Sequence, residues 1–143
     1  MRFFLMKLLA FFACPSIPVR KGDSNYYDCE NESITLAEVD EDDCGFMRHV
    51  VKVHGFKEAS SYGYDILTVL HEVGHAKTLD FCESDELPTR ALCASYSVEE
   101  ARDSIAIQDL YFNLESEWEA TEWAINFIKS HPFLCKAFSV LLR

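Results

Sequence analysis

Residues 65–78, DILTVLHEVGHAKT, place Ile66, Val69, Leu70 and Val73 at i, i+3, i+4 and i+7, the spacing of one apolar helix face. Ser61 or Asp65 is able to cap this helix, and the pattern ends near Thr78. An apolar face has to be covered by other parts of the chain, so the rest of the fold is assembled around this segment. His71 and His75 lie four residues apart and project from neighbouring turns on one side, near enough for both imidazoles to meet one ion. Glu72 is turned by about 100° from His71, which in a His-Glu-x-x-His pattern sets its carboxylate beside a water instead of on the metal. Gly74 lowers helix propensity by about 1 kcal/mol relative to Ala and makes sense where another backbone or a ligand comes close.

A catalytic zinc ion usually takes three protein ligands and keeps one position open. Downstream of His75 the available donors are Asp80, Asp103, Asp109, Glu115, Glu117, Glu119, Glu122 and His131. In ESEWEATEWAINFIKSH, an apolar stripe runs through Ala120, Trp123, Ala124, Phe127 and Ile128. Glu117 falls on or beside that stripe with Ala120, Thr121 and Ala124, while Glu115, Glu119 and Glu122 fall on the opposite side. A buried carboxylate needs a partner, and a metal ion explains the inward position of Glu117. Ala120 and Ala124 are small enough for this helix to pack close to the histidine helix. Glu117 is therefore the expected third ligand, with Asp80, Asp109 and His131 remaining open as alternatives. Glu119 has a separate use, as the third residue after a capping Ser116.

The chain of 143 residues fits one domain, 1–143, and its 49% hydrophobic content is that of a sequence that folds. A net charge of -11 with no basic cluster excludes direct nucleic-acid binding. The acidic run from Glu38 to Cys44 lacks the glycine and terminal glutamate of an EF-hand loop and reads as a solvated segment. Cys14, Cys29, Cys44, Cys82, Cys93 and Cys135 are widely spaced with no Cys-x-x-Cys pair, and are expected to be free, buried thiols. In an oxidising compartment Cys82 and Cys93 are the expected pair.

Residues 1–14 are apolar and are expected to form a short buried helix that Pro15 and Pro18 stop; Lys7 interrupts the run, which is too short to span a bilayer. A secretory signal is the alternative, and the expected location is accordingly cytoplasmic, or else secreted with disulfides. From Pro18 to Val39 the turn residues Gly22-Asp23 and Glu30-Asn31-Glu32 separate strand-like segments, predicting a small antiparallel sheet with Ile34 to Val39 as an edge strand. Helices are expected over about 42–54, from a Ser97 cap with Glu100, and over about 113–130. The predicted fold class is α+β, mostly helical, with the edge strand flanking the histidine helix.

HEVGHA followed by ESEWEATEWA resembles the ImmA/IrrE family of small bacterial and phage metallopeptidases. There, His-Glu-x-x-His precedes a helix of the form Glu-x-x-Ala-Asn-x-Phe-Ala. Glu117, Ala120, Trp123 and Ala124 match its Glu, first Ala, aromatic and second Ala, and Thr121 stands where the family usually has Asn. The resemblance implies a minimal zincin-like domain and a cytoplasmic protease that cleaves a protein partner, often a transcriptional repressor.

The expected chemistry is zinc-dependent hydrolysis of a peptide bond. His71, His75 and Glu117 hold Zn²⁺, and Glu72 is the general base. Tyr62, Tyr64, Tyr111 and His131 are the available oxyanion donors. The expected partner is a protein or peptide bound to a monomer, with no nucleic acid and, unless the N-terminal segment is a signal, no membrane. The alternative is a regulatory binding module that keeps the metal but acts by holding its partner.

Overall fold

The computed structural model describes residues 2–37, 50, 52–54, 61–78 and 104–141. In chain order its elements are α1 (Arg2–Ala13), β1 (Val19–Gly22), β2 (Tyr26–Asp28), β3 (Ser33–Ala37), α2 (Ser61–Lys77), α3 (Ile105–Phe112), α4 (Glu115–Ser130) and α5 (Pro132–Leu141). Residues 52–54 are also helical, as expected for that segment. The architecture is α+β and mostly helical. The Ser97 cap, the acidic run, Asp80, Asp103, Cys44, Cys82 and Cys93 lie outside the described residues.

Helix α1 forms as the apolar run predicts. Cys14 N–H closes its last turn on the Ala10 carbonyl at 2.8 Å, and Pro15, which has no N–H, follows at once. The chain then enters a sheet of order β1-β3-β2. This sheet is mixed, not antiparallel: β1 runs parallel to β3, with Val19 opposite Ile34, and β2 runs antiparallel to it, with Tyr27 opposite Ile34. The segment expected at the edge is its central strand. The alternation of Ile34 and Leu36 with Thr35 and Ala37 suggests one covered face, but all five residues of β3 are buried, because the strand is paired on both edges. Among the described residues the edges are β1 and β2. The turn from β2 to β3 is held by Asp28, whose carboxylate accepts from the Glu30 and Asn31 amides at 3.0 Å each.

Helix α2 is the centre of the molecule. On one side Leu67 and Leu70 join Val50, Ala124, Ile125, Ile128 and Leu134. On the other, Val69 and Val73 join Met6, Ala10, Cys14, Ile34 and Leu36. The helix was predicted to bury one face, but everything from Leu67 to Gly74 is buried, while Ile66 is only partly so. The reason is position: α1 and the sheet cover one side, α4 and α5 the other. A helix enclosed in this way normally carries apolar residues all round, yet this one holds Asp65, Thr68, His71 and Glu72 at 4–7% exposure. Asp65 is thus an interior residue of α2, and the helix begins at Ser61.

Among the described elements, α4 packs most extensively against α2. It buries Glu117, Ala120, Thr121, Ala124, Ile125 and Ile128, the phase its sequence predicts, whereas Glu115 and Glu122 are exposed. Its N-cap is Leu114 with no side-chain cap bond, so Ser116 is a helical residue and not the expected cap. Cys14 is a buried thiol as expected, but Cys29 and Cys135, also thiols outside any disulfide, are exposed. Cys29 sits in the β2–β3 turn, and Cys135 follows the buried Leu134 on α5, so each falls on the solvent side of its element.

Candidate metal centre

Gly74 brings the two central helices together. A Cβ at this position would lie 2.4 Å from the Ala120 carbonyl oxygen and 2.9 Å from its Cα, distances that side chains do not adopt against backbone. The glycine that weakens α2 as an isolated helix is therefore required by α4. Gly74→Ala must push α4 away by overpacking and is expected to destabilise the protein by about 2 kcal/mol, a fall in Tm of roughly 6 °C. Thermal unfolding of the metal-free protein measures it, and an unchanged Tm would mean the helices are not in this contact.

At that closest approach three side chains converge. His71 Nε2 lies 2.8 Å from Glu117 Oε2, His75 Nε2 lies 3.4 Å from the same oxygen, and the two Nε2 atoms are 3.1 Å apart. These form the one group of His, Cys, Asp and Glu donors suited to a metal among the described residues. Ligand atoms about 2.05 Å from a tetrahedral zinc are separated by about 3.3 Å, close to all three spacings. His71 and Glu117 are almost fully buried, and His75 is partly open.

The hydrogen bonds around the trio set its polarity. Thr121 Oγ1–H donates to the Glu117 carbonyl one turn back at 2.8 Å. Its hydroxyl proton is then used, so Oγ1 accepts from His71 Nδ1–H at 3.1 Å. With Nδ1 carrying the hydrogen, the neutral ring turns the lone pair of Nε2 toward Glu117, which is the tautomer a metal ligand requires. An imidazole lone pair facing a carboxylate oxygen at 2.8 Å needs a positive charge between or beside them. Added protons or a metal cation supply it. Burial on its own would raise the Glu117 carboxyl, but where protons sit on the ring nitrogens that face it, hydrogen bonds from His71 and His75 and the charge those protons bring hold it well below the usual carboxylate range. The site is built to keep Glu117 anionic.

Glu72, next to His71, is 7% exposed and is not one of the three donors, as the helix rotation predicts. Of the alternative ligands, Asp109 pairs with Lys52 instead. His131 Nδ1 bonds the Phe127 carbonyl at 2.7 Å, and its ring lies among Phe12, Phe127 and Phe133. Glu119 is partly buried and takes no part in the trio. Of the oxyanion candidates, Tyr64 packs on the hydrophobic core and Tyr111 meets Phe112 edge to face. The side chain of Tyr62 lies outside the described residues. Sequence reasoning did not assign Thr121 its bond to His71. The available signal was its place four residues after Glu117, on the same helix face.

Comparison with known proteins finds no matching family model and no significant match among curated proteins or solved structures.

Proposed function

We propose that this protein is a zinc-dependent endopeptidase of ImmA/IrrE-like character, hydrolysing a peptide bond in a protein substrate such as a transcriptional regulator. The observation that carries the reading is the meeting of His71, His75 and Glu117 at ligand spacing, with the buried Glu72 beside them on α2. The donor set fits zinc: two imidazole nitrogens and a carboxylate are the ligands of many catalytic sites. Zinc held there would supply Lewis acidity toward a water and a scissile carbonyl.

The chain's own residues do the rest. Glu72 accepts a proton from the attacking water on its carboxylate and returns it to the departing amine. Thr121 fixes the His71 ring through Nδ1, and the Gly74–Ala120 approach fixes the distance from α2 to Glu117. The partial exposure of His75 leaves a way in for substrate. Because β3 is central, an extended peptide would add to an outer strand, and β2 is the edge that packs against α2.

The test is to incubate zinc-loaded protein with an unfolded-protein or peptide library and identify new N-termini by mass spectrometry. Cleavage that stops with a chelator and returns with zinc is the expected result. No new termini from a protein shown to hold zinc would favour the binding module.

A further inference from the structure

Helix α1 has two apolar faces. One is built into the core through Met6, Ala10 and Cys14, so this helix is an integral part of the fold. The other is exposed: Phe4 is 62% accessible, Leu5 53%, Leu8 48%, Phe11 61% and Phe12 49%. Positions 4, 5, 8, 11 and 12 form a single stripe along the helix. Phe12 extends it across to α5, where Phe133, 58% accessible, meets it edge to face with ring centroids 5.6 Å apart. Surface hydrophobics are ordinary when scattered, but a contiguous ridge of four phenylalanines and two leucines marks an interaction surface.

The charge around this ridge identifies what it faces. Every Asp and Glu of the chain lies between Asp23 and Glu122, although the protein as a whole carries a net charge of -11. The two chain ends that build the ridge, residues 1–22 and 123–143, contain no Asp or Glu, so their charged side chains are all basic. Among these, Lys7, Arg20, Lys21, Lys129 and Lys136 are exposed. Lys7 flanks the α1 stripe, and Lys136 is one turn beyond Phe133 on α5. A soluble partner matched to this molecule's general surface would be basic; this face is the opposite. Exposed Phe and Leu edged by lysine, on two helices whose own sequences carry no Asp or Glu, match the boundary of an anionic bilayer, where the rings enter the acyl region and ammonium groups stay with the phosphates. No helix of the described residues is long and apolar enough to cross a membrane.

We propose that α1 and the start of α5 form a membrane-docking face that lays the protein on anionic lipid surfaces. This revises the expectation of no membrane partner, which took the N-terminal helix as simply buried. It does not depend on the metal site.

Flotation of the full chain with phosphatidylcholine vesicles, with and without phosphatidylglycerol, tests it. The expected result is binding that needs the anionic lipid and weakens in high salt. Replacing both Phe4→Ser and Phe11→Ser should reduce partitioning by about tenfold per residue. Both side chains are exposed, so the melting curve should stay that of the parent. Lys7→Glu should weaken binding to anionic vesicles only. Failure to float overturns the proposal, as does flotation undiminished in the double variant. Concentration-dependent self-association in place of flotation would make the ridge a contact between copies, and equally overturns it.

Discussion

Glu72→Gln is expected to reduce peptide hydrolysis by roughly three orders of magnitude while leaving zinc content unchanged. The amide keeps the size of the carboxylate but has no basic oxygen to take the proton of water. Glu72 is outside the donor trio, so the ligands are untouched. Glu72 is also 7% exposed, and a buried carboxylate is costly to keep charged. The amide keeps the shape of the side chain, so the variant should unfold near the temperature of the parent. That combination, lost turnover with retained metal and retained stability, separates a general base from a structural residue. Turnover within a few-fold of the parent would remove Glu72 from the reaction and favour the binding module.

Glu117→Ala should weaken zinc binding by about 100- to 1,000-fold, the share of one ligand in a site of this kind. Chelator competition measures it directly. In the metal-free protein the change has a pH signature. Glu117 is held below the usual carboxylate range, so its stabilising contribution is present at neutral pH and is lost as acid protonates it. Parent and variant should differ most near neutrality and converge in melting temperature as the pH falls through and below that range. A constant difference across pH would mean that Ala120 and its neighbours, not the carboxylate, are what the substitution disturbs.

The site was more legible than the sheet. His71, Glu72 and His75 form a pattern over adjacent turns of one helix, and Glu117 could be phased because α4 runs for 16 residues with one buried face. Periodicity works where an element is long and half covered. It failed on β3, where Ser33, Ile34, Thr35 and Leu36 alternate in type as on a half-covered strand, yet all five residues are buried because the strand is paired on both edges. It also failed on α2, where burial on every side hid the fact that Ile66 is less covered than His71. The Leu114 cap could not be read from capping preferences, because no side chain performs it. Gly74 was legible as a close approach, but its partner, the Ala120 carbonyl, depends on how two helices dock. The role of Thr121 likewise exists only after that docking, when the hydroxyl bonded to the Glu117 carbonyl meets His71.

Elemental analysis of the purified protein, after zinc loading and dialysis against metal-free buffer, tests the central claim most directly. One zinc per chain is the predicted result. A protein that remains folded and retains none would contradict the account, because His71, His75 and Glu117 would then be held together by protons alone.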